Sequence, residues 1–373
     1  MTYAELSTVR HRLKLGAPLP FNVRDADRTL LLARGEMVET HEQLEAIVRR
    51  GALVDICELQ TPRDEILKAP RELLPQLWNH ALAQLGHTLA TASKADFRDA
   101  LTQAAEPVQT LVERDPDLAI FQVIRTGASA DTEYGALRSQ QTAITSLLVA
   151  QRLGWPSDDA ERAFKVALTM NLSMLELQGQ LARQASPPSD EQRHALRTHP
   201  MRSVRLLELS GVADTLWLKA VLQHHENEDG SGYPSGSTEV SELASLVRRA
   251  DNYTSKLASR CSRDAIAADL AGRQMFMQDP GHPMTAALVK EFGIYPPGCH
   301  VRLVSGEVAV VVARGPTITT PVVACLTNER GAPLSVPVRR DTTERAHAVA
   351  GVVGEGSVKS KVPLDRLLAV LAA

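Results

Sequence analysis

Paired cysteines are missing from this sequence. Its four, Cys57, Cys261, Cys299 and Cys325, are scattered without a CxxC spacing, which argues against both a disulfide framework and a structural zinc site. A reducing, cytoplasmic setting fits that usage. Long apolar runs are missing too. Nothing approaches the roughly 20 residues that a bilayer-spanning helix needs, and no basic segment followed by an apolar one opens the chain, so a soluble protein is expected. Charge of either sign is not in excess. A formal net charge of -3 offers no footprint for duplex nucleic acid or an anionic membrane, so any nucleotide ligand would have to be held by a local site. No internal repeat is visible. What the 373 residues do contain is 44% hydrophobic and 23% charged residues, enough to bury a substantial core in two or three domains.

Residues 1–60 read as a small α+β module. Leu19, Phe21 and Val23 alternate, Asp25 to Arg28 supply a turn, and Leu30 to Leu32 form a second apolar run. A short helix is predicted from Thr40, with Leu44, Ile47 and Val48 in helical spacing and Gly51 at its end. Helical periodicity then dominates to about residue 280, with Phe97, Leu101, Ala104, Val108 and Leu111 on one face and Ile144, Leu147 and Leu148 on another. Pro107, Pro116, Pro156, Pro187 and Pro188 punctuate this run, which predicts separate helices of a bundle rather than one coiled coil. After Tyr295 to Gly298 the texture turns to β: Val301 and Leu303 alternate, Ser305 and Gly306 mark a turn, and Val308 to Val312 are densely β-branched. Pro321 to Leu326, a turn at Asn328 to Gly331 and a last helix near Leu364 to Leu371 follow. The fold class expected is mainly α, with a small α+β N-terminal module and a small β C-terminal subdomain. The boundaries drawn are 1–60, a helical linker 61–114, a helical domain 115–292, and 293–373.

The chemistry is concentrated in His224, His225, Glu226, Asn227, Glu228, Asp229, Gly230, Ser231, Gly232, Tyr233 and Pro234. Leu216, Ala220 and Val221 define a helix face that the two histidines extend, so two imidazoles emerge about 100° apart at the end of a buried stripe. Such a pair can reach one metal cluster. Gly230 and Gly232 then allow a tight turn, and Tyr233 and Pro234 stiffen its exit as a recognition surface. Asp251 sits one turn beyond Val247 on an apolar stripe, where a carboxylate needs a partner: a basic residue such as Arg248 or Arg249, or a metal shared with the histidines. His199 precedes Pro200, which is read as the first turn of a helix through Val204 and Leu207.

Together these residues resemble the HD-GYP family of HD metal-dependent phosphohydrolases, whose HHExxDGxGYP signature is matched in full from His224 to Pro234. The resemblance runs from about Asp115 to Arg263, through Ala143 to Gly154 and the Asp251 helix; the N-terminal module and the Tyr295 to Val312 segment are similar to parts that accompany some members. It implies a helical bundle caging two or three metals, often iron or manganese, that activate a hydroxide against a phosphodiester of cyclic di-GMP. A His-Asp dyad normally bridges the ions. Here Met170 and Asn171 stand at the dyad, and Arg138 stands where another helix usually contributes a histidine. The ligands left are His199, His224, His225 and Asp251, with Asn171 as a weak oxygen donor. That set implies one divalent ion rather than a binuclear site, because a single carboxylate would face about four positive charges. Arg138 would then hold Asp251 or a ligand phosphate in the metal's stead. Arg260 and Arg263 match the spacing of an arginine pair that contacts the phosphates of cyclic di-GMP, while Thr254 replaces a lysine often found beside it.

The resemblance therefore implies a degenerate signalling protein that acts by binding cyclic di-GMP or by docking GGDEF-domain partners through the loop of Asp229, Gly230, Gly232, Tyr233 and Pro234. An enzyme reading keeps a reduced metal site that hydrolyses cyclic di-GMP, with Glu226 or Asp229 as proton donor. A third reading is a scaffold or homodimer with no ligand.

Overall fold

Thr40 shows how local signals build the amino-terminal part: its side chain accepts the Gln43 backbone N–H while Gln43 reaches back to Thr40, a closed capping box. The computed structural model describes residues 2–59, 61–92, 96–125, 131–261, 263–354 and 362–371. The chain divides into two units, Met1–Ala69 and Pro70–Ala373. The first contains β1 (Tyr3–Glu5), α1 (Leu6–Val9), β2 (Val23–Arg24), β3 (Leu30–Leu32), α2 (His41–Arg49), β4 (Leu53–Asp55) and α3 (Pro62–Lys68). Its antiparallel sheet has the order β1-β4-β2-β3. The alternating Leu19, Phe21 and Val23 are all buried, joined by Leu6, Leu44 and Val54 in one core. Gly51, at φ +70°, ends α2 in the conformation that glycine adopts at least cost.

The second unit holds α4 (Leu74–Ala90), α5 (Phe97–Arg114), α6 (Pro116–Arg125), α7 (Asp131–Arg152), α8 (Ser157–Thr169), α9 (Leu175–Arg183), α10 (Asp190–Leu209), α11 (Thr215–Gln223), α12 (Glu242–Leu257), α13 (Ala268–Gln278) and α14 (Pro283–Phe292). The fold is mainly α, as expected. Two of the proline readings need correction. Pro107 lies inside α5 and does not end it, because Phe97, Leu101, Ala104, Val108 and Leu111 are all buried. The four large side chains among them contribute about 1.5–3 kcal/mol each, which outweighs the roughly 3 kcal/mol that an interior proline costs. Pro200 likewise lies mid-helix, since α10 starts ten residues earlier, where Ser189 and Gln192 form a capping box.

Helix α7 is the axis of this unit and lies against α8, α9 and α12. Ala143, Ile144, Leu147 and Leu148 are buried there, and so are Thr142, Thr145 and Ser146. Those hydroxyls donate to carbonyls one turn back in the same helix, which lets polar groups sit in the core.

The β segment forms an antiparallel sheet of order β8-β7-β6-β5-β9, from β5 (His300–Leu303), β6 (Val308–Ala313), β7 (Val322–Thr327), β8 (Pro333–Arg340) and β9 (Val349–Val353). The last strand was not anticipated from the sequence. A short α15 (Leu364–Leu368) follows. The Arg314 backbone N–H donates to Asp117 at 3.0 Å and its guanidinium donates to Glu291 at 2.8 Å, which ties the sheet to α6 and α14. No described helix is long and apolar enough to cross a membrane.

Candidate metal centre

Three imidazoles meet in the second unit. His224 is the C-cap of α11 and His225 follows it, while His199 comes from the middle of α10. Their ligand nitrogens all lie within 4.8 Å of one another, the cluster of histidine, cysteine or carboxylate side chains with metal-holding spacing among the described residues. His199 and His224 are buried, and His225 is partly so.

Backbone carbonyls fix the tautomers. The Nδ1 of His224 faces the Val221 carbonyl at 2.6 Å, and the Nδ1 of His199 faces the Leu196 carbonyl at 2.6 Å. A carbonyl only accepts, so both Nδ1 atoms carry the hydrogen and both Nε2 atoms present lone pairs. The two carbonyls are free for different reasons. Val221 lies in the last turn of α11, where carbonyls lack helical partners. Leu196 is four residues before Pro200, which has no N–H to give it. A proline that would be costly as helix punctuation thus serves to aim His199.

The two Nε2 atoms face each other at 3.0 Å. Lone pairs at that distance repel unless a cation lies between them, and two nitrogens bound at about 2.1 Å to one ion are spaced in this way as neighbouring ligands. All three rings are held neutral. Burial, then the neighbouring His224, brings His199 to about 3; burial, then His199 and Arg248, brings His225 to about 3. Burial, then the neighbouring His225, holds His224 well below the usual histidine range. Neutral, oriented imidazoles fit a divalent ion.

Asn171 caps the 3-10 turn Leu172–Met174, and the next residues of that turn bond α10. Ser173 donates its hydroxyl to the His199 carbonyl at 2.9 Å and its N–H to Ser203 at 3.2 Å. Asn171 and Met170 are buried, and the Asn171 Oδ1 has no hydrogen-bond partner. A buried acceptor without a partner, two residues before the Ser173 that bonds the His199 backbone, is the sort of atom a cation would satisfy.

Asp251, on α12, is not among the side chains of the three-histidine group. Its Oδ1 lies 3.6 Å from Arg138 Nη2 and 3.4 Å from the Thr142 hydroxyl. Arg138 is buried on α7 and is further engaged by Gln141 at 3.1 Å and Thr254 at 3.0 Å. The partner of the carboxylate is therefore an arginine, the Arg138 that the resemblance set against it rather than Arg248 or Arg249. Those two take Glu228 instead. Arg260 and Arg263 lie past the end of α12, exposed, joined by backbone hydrogen bonds and held to Ser255 at 3.2 and 2.6 Å. They lie close enough to Arg138 to lower the charged stability of its guanidinium, behind burial as the main cause.

The loop after His225 folds back on its own start. A Cβ on Gly232 would come within 2.4 Å of the Glu226 Cα, so only glycine fits. Tyr233 donates its N–H to the His225 carbonyl at 3.1 Å, and its ring stacks on His225 with centroids 4.6 Å apart and planes at 22°. The buried Glu226 accepts the N–H of Ser235 at 2.6 Å and of Ser237 at 3.1 Å, and Asp229 accepts Ser231 at 2.9 and 2.6 Å. Both carboxylates are thus engaged in shaping the loop. The Glu228 pairing and the freeing of Leu196 by Pro200 had not been read from the sequence; a charged residue between His225 and the glycines, and a proline one residue after a histidine, were the available signals.

Residues 127–276 match the HD domain family. The cyclic di-GMP phosphodiesterase PA4108 of Pseudomonas aeruginosa is 26% identical over 272 residues, covering 71% of this chain and 62% of that protein. The cyclic di-GMP phosphodiesterase PdeB of Borreliella burgdorferi is 23% identical over 123 residues, 32% of each chain. The matches thus span less than two thirds of the length of these curated relatives. In fold, the chain is similar to Bd1817, a HDG"Y"P protein from Bdellovibrio bacteriovorus, with a TM-score of 0.51 and 15% identity over 78% of this chain and 98% of that one. Residues 127–276 thus match an HD domain, and the chain is similar in sequence to cyclic di-GMP phosphodiesterases and in fold to an HDG"Y"P protein.

Proposed function

We propose that this chain is a signalling protein that binds cyclic di-GMP at a one-metal HD-GYP site and hydrolyses it poorly or not at all. The observation that carries this reading is the pairing of Asp251 with Arg138, which leaves the three neutral imidazoles without the carboxylate. A second ion needs an anionic bridge. Without one, two divalent charges side by side repel strongly in a buried site. His199, His224 and His225, with the Asn171 Oδ1, would hold a single divalent ion, iron or manganese by family resemblance. When bound, that ion supplies positive charge against a phosphodiester. Arg260 and Arg263 would grip the ligand's phosphates as forks. The relatives' names supply the ligand, and GGDEF-domain docking through the loop and homodimerisation follow as further parts of the same reading.

The convergence of His199 and His224 favours a second reading, slow metal-dependent hydrolysis at the same centre. Elemental analysis together with cyclic di-GMP turnover in added manganese or ferrous iron separates the two. One metal per chain, micromolar-range calorimetric binding and no turnover are expected, with binding lost in Arg260→Ala/Arg263→Ala. Arg138→His with Asn171→Asp is expected to raise the stoichiometry to two metals and to bring hydrolysis. Two metals with turnover in the unaltered chain would overturn the proposal.

A further inference from the structure

Glu228 lies three residues after His225, and its carboxylate is gripped from three directions. The Arg248 Nη2 donates to one oxygen at 2.6 Å; the Arg249 Nη1 at 3.1 Å and the Ser245 hydroxyl at 2.6 Å donate to the other. Arg248 also donates to the Asn227 side chain at 2.8 Å. Adjacent helix positions point about 100° apart, so two consecutive arginines reach one carboxylate only when it sits across their shared groove. Among the described residues, the ion pairs of the segment from His224 to Glu239 all involve Glu228. Five residues further on, Tyr233 is stacked on His225 and lies edge-on to His199 with centroids 6.3 Å apart.

We propose that Glu228 is a positioning residue: by bridging Arg248 and Arg249 it latches the loop to α12, so that the Tyr233 ring stays closed over His225 and restricts access to the three-histidine centre. The inference rests on the reading above only in taking that centre as the working site. Arg249 does not depend on Glu228 for its own compensation. It donates Nε and Nη2 to Asp279 at 2.9 and 2.6 Å, and Asp279 also accepts from Thr285 at 3.2 Å. Removing Glu228 therefore leaves the buried Arg249 paired with Asp279 and Arg248 bonded to Asn227, and should leave the fold intact, while the loop loses its charged anchor. The low value of the carboxylate, about 2, agrees: burial would raise it, and the hydrogen bonds from Ser245 and Arg249 with the Arg248 charge outweigh that.

The test uses the full chain free of metal. Carbethoxylation by diethyl pyrocarbonate is followed at His225 by peptide mass mapping, with the exposed His41 and His194 as internal references. Glu228→Ala is expected to speed modification of His225 by about fivefold or more, Glu228→Gln by less, and Tyr233→Ala by at least as much as Glu228→Ala, with the references unchanged. The Glu228→Ala/Tyr233→Ala double variant should be no faster than Tyr233→Ala, because both act on one closure. An unchanged His225 rate in Glu228→Ala, or effects that multiply in the double variant, would overturn the latch. Failure of the unaltered chain to bind metal or cyclic di-GMP would remove the functional reading and leave these rates to be judged on their own.

Discussion

A proline inside a helix removes one hydrogen bond and leaves a carbonyl without a partner, and in α10 that carbonyl is put to use. Pro200 frees Leu196, which accepts from His199. Restoring the N–H in Pro200→Ala lets the backbone compete for the same oxygen, so the ring loses its fixed tautomer. Manganese or zinc affinity is expected to fall about tenfold or more, the usual effect of losing an orienting partner, while helix stability holds or rises. Titration calorimetry with thermal unfolding reads both, and unaltered affinity would refute the role. At this scale the sequence was legible for type and partly for place. His199, His224 and His225 were named as ligands from their positions, and they do converge. Asp251 was grouped with them, while the family resemblance also offered Arg138 as its holder, and that pair does form at 3.6 Å across 113 positions of the chain. Spacing along one helix cannot reveal which residue of another helix faces it.

Elements are set by packing as much as by local preference. Gly135 of α7 is an example, since a Cβ there would come within 2.3 Å of the Leu175 carbonyl oxygen at the start of α9. The two helices approach too closely for any other residue. Gly135→Ala should force them apart and cost about 1–3 kcal/mol, an overpacking penalty measurable as a lower urea midpoint. A midpoint unchanged from the unaltered chain would mean that α7 and α9 are not so close. Existence of helices was legible from apolar period alone, as in α5 and α7. Their limits were less so. Pro200 was read as a helix start because proline favours that position, although Ser189 and Gln192 already spelled the capping box that begins α10. Strand β9 escaped notice because its neighbour in the sheet, β5, lies some fifty residues earlier.

For the molecule as a whole, acid sensitivity follows from the loop clamp. Glu228 has an ordinary value of 4.5 and is held at about 2 in the fold. A carboxylate lowered in this way contributes stability that is fully present above 4.5 and is lost as pH falls through about 2. Urea midpoints of the unaltered chain and Glu228→Gln should therefore differ most above pH 5 and converge towards pH 2. A gap that stays constant across that range would refute the pairing. The sequence by itself determined a mainly α chain with β at its end, the loop from His224 to Pro234, and the kinds of group available to a metal and a phosphate. Those follow from periodicity and composition, which are local. Only the tertiary structure decided that the imidazoles face one another and that Glu228 binds two arginines of α12, because each is a meeting of side chains whose distance depends on how helices pack.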